Sequence, residues 1–141
     1  NHETNFRINK FFRTITRDKK KIDKTLNIKG RDFKIKNYYE GISRFDFKDL
    51  CDQNLAAEDY LEIAKVSDFI VIENIPQFND INSNQQHRFI TLLDVIYDKN
   101  IPIAVTANQN LSQFTSSQSL ESQFKRTISR LYELTSIRHK S

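Results

Sequence analysis

Methionine and tryptophan are both absent from this 141-residue chain, and it holds two glycines, two prolines and one cysteine. Neither Gly30 nor Gly41 is followed by Lys-Ser or Lys-Thr. A G-x-x-x-x-G-K-[ST] loop, whose backbone N–H groups cradle phosphates, is therefore excluded. The lone Cys51 rules out an internal disulfide and fits a reducing compartment. Three scattered histidines, His2, His87 and His139, make no metal-ligand pattern with it. No apolar run approaches the ~20 residues of a membrane span. No signal peptide is visible, which in a fragment says nothing of the parent. The absence of Met, with Asn at position 1, points to such a fragment.

Eleven Phe and five Tyr supply the large apolar surface, and the length suits one domain with a modest core. Charge is unevenly placed. Residues 1–40 hold 12 Lys/Arg against 5 Asp/Glu, a balance of +7, and the remaining 101 hold 10 against 13, a balance of −3. A basic segment of this kind suits anionic lipid or nucleic acid. The same balance also fits an ordinary solvated face, and Lys19-Lys20-Lys21 is shorter than the usual nucleic-acid arm.

The clearest unit runs from Phe69 to Ala107. Phe69 to Ile72 is a short, unbroken apolar run that suits a buried strand. Phe89, Leu92, Leu93, Ile96 and Tyr97 recur at helical spacing within HRFITLLDVIYD. Ile101 to Val105 reads as a second strand, giving a parallel βαβ unit with its chemistry at the strands' carboxyl ends. Those ends carry Glu73-Asn74 and Thr106-Ala107-Asn108. Upstream, the spacing predicts a helix over Phe6–Ile15, with Ile8, Phe11, Phe12 and Ile15 on one side. Next come a charged connector (Asp18–Lys24) and a hairpin of Leu26–Ile28 and Phe33–Ile35 across Gly30-Arg31. Ile42, Phe45 and Phe47 lead into a short helix through Leu50 and Cys51, and a small-residue helix follows over Ala57–Ala64. Ser112–Ser119 reads as a Ser/Gln-rich loop. The chain closes on a helix from Leu120 to about Ser136, with Leu120, Phe124, Ile128, Leu131 and Leu134 as its apolar stripe.

Several stretches resemble the ZapE-type ATPases, the "ATPase family gene one" group of the AAA+ class. They are NIKGRDFKI (Asn27–Ile35), RFDFKDLC (Arg44–Cys51), AAEDYLEIA (Ala56–Ala64), FIVIENIPQF (Phe69–Phe78), RFITLLDVIYD (Arg88–Asp98) and FKRTISRLYEL (Phe124–Leu134). They span roughly the last three-quarters of the chain. Ala56 stands where the family usually has Gly, Leu134 where it has Met, and the loop between Asn108 and Ser119 is short. An AAA+ strand ending in Asp-Glu is also missing: IVIEN offers Glu73 and then an amide, Asn74, which cannot take a proton from water.

The resemblance implies a partial P-loop NTPase-like (AAA+) α/β fold with the βαβ unit, a small β-hairpin and a C-terminal helix. It implies a single C-terminal portion over 1–141, made of a basic helical lead-in (1–24), a hairpin region (25–47) and an α/β core with the last helix (48–141). The parent would couple ATP hydrolysis to protein remodelling, in bacterial cell division or mitochondrial protein homeostasis. ATP and Mg are then cofactors of the parent and none is bound by this chain alone. The implied partners are a missing N-terminal ATPase half, further copies of the parent, protein clients and a peripheral anionic membrane. The implied location is bacterial cytoplasm, with mitochondria as the alternative.

No catalytic residue is expected here. Arg126 and Arg130 on the last helix lie off its apolar stripe. By resemblance they are candidates to reach a γ-phosphate, where a guanidinium stabilises developing charge. The alternative is a salt bridge to Glu133 or Asp59. Arg88 is a candidate for pairing with Asp94 or Glu73, or for acting across a subunit interface. Asp59, Tyr60, Glu73, Pro76, Phe89, Asp94 and Ser129 are read as structural members of the family motifs. A rival function is a stand-alone basic module binding nucleic acid or anionic membrane.

Overall fold

A computed structural model describes residues 2–107 and 113–139, with side chains through 135. The chain folds as helix α1 (His2–Ile15), strands β1 (Lys24–Ile28), β2 (Arg31–Ile35), β3 (Asn37–Tyr39) and β4 (Ile42–Asp46), and helices α2 (Phe47–Cys51) and α3 (Ala57–Lys65). Strand β5 (Phe69–Ile75), helix α4 (Ser83–Asp98), strand β6 (Ile103–Ala107) and helix α5 (Glu121–His139) follow, with a 3-10 turn at Gln118–Leu120 leading into α5. β1 and β2 form a separate hairpin, and the four-stranded sheet has the order β3-β4-β5-β6. β3 is antiparallel to β4, while β4, β5 and β6 are parallel. The result is a mixed α/β fold with a small sheet, consistent with a generic P-loop NTPase-like arrangement.

Alternation along the central strands sorts the layers, because successive side chains leave opposite faces of a strand. Ile70 and Ile72 join the main core with Phe47, Tyr60, Phe89, Leu93, Phe124 and Leu131. Val71, between them, meets Ile8 and Phe12 of α1, together with Ile42 and Ala104, in a second cluster. Helices α2 to α5 thus cover one face and α1 the other, which explains why the strands read as continuous apolar runs.

Both hairpin turns are two-residue loops with positive φ at each position: Lys29 (53°) and Gly30 (80°), then Glu40 (47°) and Gly41 (99°). Such turns match the right-handed twist of the flanking strands. The first turn is therefore Lys29-Gly30, one residue earlier than the expected Gly30-Arg31. A Cβ at Gly41 would lie 2.5 Å from Asp68 Oδ2, and the Gly41 carbonyl accepts the Asp68 N–H at 2.7 Å. Gly41→Ala is expected to cost about 1–2 kcal/mol from backbone strain alone, with the Asp68 clash added. A urea midpoint equal to that of the parent chain would refute this.

Three further expectations are corrected. The 25–47 region is divided: β1 and β2 form the hairpin, while β3 and β4 belong to the main sheet. β5 does not end at Glu73-Asn74 but runs to Ile75, just before Pro76, with Asn74 at φ 64°. That bulge lets Ile75 bury and pair with Ala107. Helix α1 begins at His2 rather than Phe6.

Candidate functional site

The carboxyl ends of the parallel strands are where chemistry is expected in such sheets. Asp46 ends β4 and caps α2, accepting the Lys48 N–H at 3.0 Å. The Asn74 Nδ2 donates to Asp46 Oδ2 at 2.7 Å, and the Asn74 N–H donates to Thr106 Oγ1 at 2.9 Å. One residue from each of the three parallel strands is thus tied to the next. Asn108 lies outside the described residues. An open cleft of 670 Å³ sits here, lined among others by Asp46, Asp49, Asp52, Asn74 and Pro76.

This edge does not fit a nucleotide with magnesium. Three carboxylates face the space a polyphosphate would fill, and Lys48 is the one cation among the lining residues. At the start of α2 the Lys48 N–H is already taken by the Asp46 carboxylate. The sheet order also advances in one direction from β4 to β6, whereas the crevice of an open α/β sheet forms where the strand order reverses. Among the described residues, no group of three or more His, Cys, Asp or Glu is placed to hold a metal.

The expected arginines lie apart. Arg130 pairs with Asp94 across α5 and α4 and lies over the Tyr97 ring, 4.6 Å from its centroid. The Tyr97 hydroxyl donates to Glu133 at 2.9 Å, and this bond raises the phenol pKa. Arg88 meets neither Asp94 nor Glu73; it donates to the Cys51 carbonyl at 3.1 Å. Arg126 and Ser129 are exposed on α5. Phe89 is fully buried, and Pro76 follows the last residue of β5.

Asp59 is buried and serves two donors, Arg31 Nη2 at 2.6 Å and the Ala56 N–H at 2.8 Å, so it joins the hairpin to the start of α3. The Tyr60 hydroxyl donates to the Leu50 carbonyl at 2.6 Å. Burial raises the pKa of both Tyr60 and the adjacent Cys51 thiol.

Two important polar residues escaped sequence reasoning. Arg44 on β4 grips Glu73 on β5 through Nε at 2.5 Å and Nη2 at 3.0 Å. It also stacks over Phe12 and donates to Asn9 Oδ1 of α1 at 2.7 Å. Gln86 is fully buried and holds the segment before α5 by bonds to Ser116 Oγ and the Ser117 N–H, at 2.7 and 3.0 Å. Its signal was its position three and four residues before Phe89 and Ile90, on the apolar arc of α4.

A different surface gathers cations. On a helical wheel Phe6, Lys10 and Arg13 fall within about 60° of one another, opposite the buried Ile8 and Phe12. Arg17 continues the row in the turn after α1, and all four are exposed. Among the described residues Lys10, Arg13 and Arg17 form no ion pair, whereas Arg7 is held by Glu3 at 2.7 Å. The following connector is fixed to β3 and to the turn after it: the Ile22 N–H donates to the Tyr38 carbonyl at 2.9 Å, and the Lys20 N–H donates to Glu40 Oε1 at 2.7 Å.

The family model of the AFG1-like ATPases matches residues 1–140. The chain belongs to the AFG1-like ATPase family. Lactation elevated protein 1 homolog B of Danio rerio is 34% identical over 90 residues, covering 64% of this chain and 18% of the relative. Cell division protein ZapE of Escherichia coli (strain K12) is 23% identical over 134 residues, covering 95% of this chain and 36% of the relative. An uncharacterised protein of Schizosaccharomyces pombe is 30% identical over 69 residues, or 49% of this chain and 15% of that protein. The chain therefore spans roughly a third or less of the length of these curated relatives. No solved structure matches it.

These findings correct several expectations. The AFG1-like match extends over nearly the whole chain, not its last three-quarters. That overturns the reading of a C-terminal portion defined by a missing N-terminal ATPase half, and with it the motif-lacking remodelling fragment. The ZapE-type assignment widens to the AFG1-like family, since the ZapE identity is below that of the fish relative. The relatives at 34% and 30% identity are eukaryotic, which overturns the expected bacterial cytoplasmic location.

Proposed function

We propose that this chain works as a basic binding module of the AFG1-like family, holding a polyanion on the outer face of α1. The observation that carries this reading is the row Lys10, Arg13 and Arg17, exposed and without ion pairs among the described residues. The row is held in a fixed frame because Ile8 and Phe12 are buried against the sheet and the connector is bonded to β3. A fixed array loses little side-chain and backbone freedom on binding, so more of its electrostatic attraction survives as affinity.

Family membership supports nucleotide-dependent activity, with ATP and magnesium, in the whole protein. In this reading the present residues do not hold the nucleotide, because their strand-end cleft is lined by three carboxylates and a single cation. The exposed Arg126 is then the arginine available to contact a nucleotide or a neighbouring chain, while Arg130 pins α5 to α4 and Arg88 pins α4 to the end of α2.

Heparin-affinity chromatography tests the binding face. Three phosphate-like contacts imply a salt slope near −2, so affinity should fall roughly tenfold to twentyfold between about 50 and about 200 mM salt. The triple variant Lys10→Glu, Arg13→Glu, Arg17→Glu should pass through the column at low salt with its circular dichroism unchanged. Flow-through of the parent chain at about 50 mM salt, or co-elution of the two chains, would exclude this function.

A further inference from the structure

We infer that the polyanion is single-stranded nucleic acid, with Phe6 as the platform on which a base stacks. This rests on the proposed binding role of α1 and adds the chemistry of its ligand. Phe6 is 62% exposed, and the basic row begins one turn further along the same helix face. A phenyl ring left in water beside a line of cations is the combination that single-strand binders use. The cations follow the phosphates, and the ring accepts any unstacked base.

Two other polyanions fit the same face less well. A helix that binds a membrane surface lays its apolar side into the acyl boundary. The apolar side of α1 is already used, because Ile8 and Phe12 are only 7% and 6% exposed. One phenyl ring is left for lipid, too little to anchor a helix whose other outward groups, Glu3, Asn5, Arg7, Asn9, Lys10 and Arg13, are charged or polar. Duplex DNA keeps its bases stacked, so it offers Phe6 no ring to meet. Its phosphates would engage the cations alone, giving a weaker complex in which Phe6 has no part.

Axial spacing supports the placement. From Phe6 to Lys10 the rise is about 6 Å, and from Lys10 to Arg13 about 4.5 Å. The long arms of Lys10, Arg13 and Arg17 can therefore meet successive phosphates of one strand leading away from the stacked base. Arg44 binds the Asn9 side chain from below and packs against Phe12, which keeps this turn of α1 from rolling on the sheet.

The test is fluorescence anisotropy of the whole chain with a labelled single strand of about 12 nucleotides. Parallel titrations use the same sequence as a duplex, heparin, and vesicles of phosphatidylserine with phosphatidylcholine. The single strand should bind more tightly than the duplex. Phe6→Ala should weaken single-strand binding about tenfold while leaving the salt slope and heparin binding unchanged. Lys10→Ala should make the salt slope shallower by about 0.7. An unchanged affinity in Phe6→Ala, or equal binding of duplex and single strand, overturns the stacking proposal while leaving the polyanion reading intact. Vesicle binding that needs Phe6 and exceeds strand binding transfers the face to lipid. Absence of binding to every probe rejects both proposals.

Discussion

Phe78→Ala should remove about 3–5 kcal/mol of stability, a large part of the 5–15 kcal/mol typical of a domain. Phe78 follows β5 and is fully buried. Its ring centroid lies 5.7 Å from Phe47 of α2, 5.8 Å from Phe89 of α4, 6.4 Å from Phe114 and 5.4 Å, edge-on, from Phe124 of α5. One ring thus joins three helices and the segment that leads into the last. Truncation leaves a void bounded by rigid aromatic rings, which relax poorly, so the cavity cost adds to the lost transfer energy. With a urea slope near 2 kcal/mol/M, the midpoint should fall by roughly 2 M. Phe6→Ala serves as the control and should stay within about 0.5 kcal/mol, as exposed substitutions do. A loss below about 1 kcal/mol for Phe78→Ala would mean that the helices are not held through this ring.

The parts of the fold that were legible from sequence carry their own periodicity. β5, α4 and β6 were legible in kind because Phe69–Ile72 and Ile101–Val105 are apolar runs and α4 repeats its apolar residues at helical spacing, although β6 itself runs from Ile103 to Ala107. β4 was missed as a strand for a physical reason. Its sequence ISRFD places Ser43 and Arg44 in buried or half-buried positions, and these become acceptable only through partners distant in sequence. Ser43 Oγ lies 2.7 Å from Ser67 Oγ, and Arg44 is neutralised by Glu73. The three-residue β3 was too short to leave a pattern. The end of β5 was misplaced because the bulge at Asn74 breaks the alternation before Ile75.

The site was less legible than the fold. A helical wheel on α5 places Phe124, Leu131 and Leu134 inward, as they are, but it leaves out the buried Thr127 and cannot say that Asp94 of α4 would reach Arg130. The excess of charge in residues 1–40 was visible in composition. The helix expected over Phe6–Ile15 already sets Lys10 and Arg13 opposite Ile8 and Phe12, but that Phe6 is exposed and that Lys10, Arg13 and Arg17 make no ion pair among the described residues is seen only in the structure.

Glu73→Gln should cost about 2–3 kcal/mol, a figure at or below the 3–5 kcal/mol seen when a buried pair loses one partner. The discount follows from exposure: the Arg44 and Glu73 side chains retain 16% and 17% of their accessible surface. Without the carboxylate, the guanidinium stays between the sheet and α1 against Phe12, with Asn9 as its remaining partner. Its charge then lacks a counter-ion and meets little solvent. Arg44→Met, Glu73→Leu together should recover most of the loss, since apolar side chains of similar length suit an interface that already holds Phe12. A double-mutant cycle reads this coupling directly. The pair also joins α1 to the sheet, so amide exchange in residues 2–15 should accelerate more than in α4 when only Glu73 is changed. Uniform acceleration along the chain would show instead that α1 is held by its apolar contacts alone.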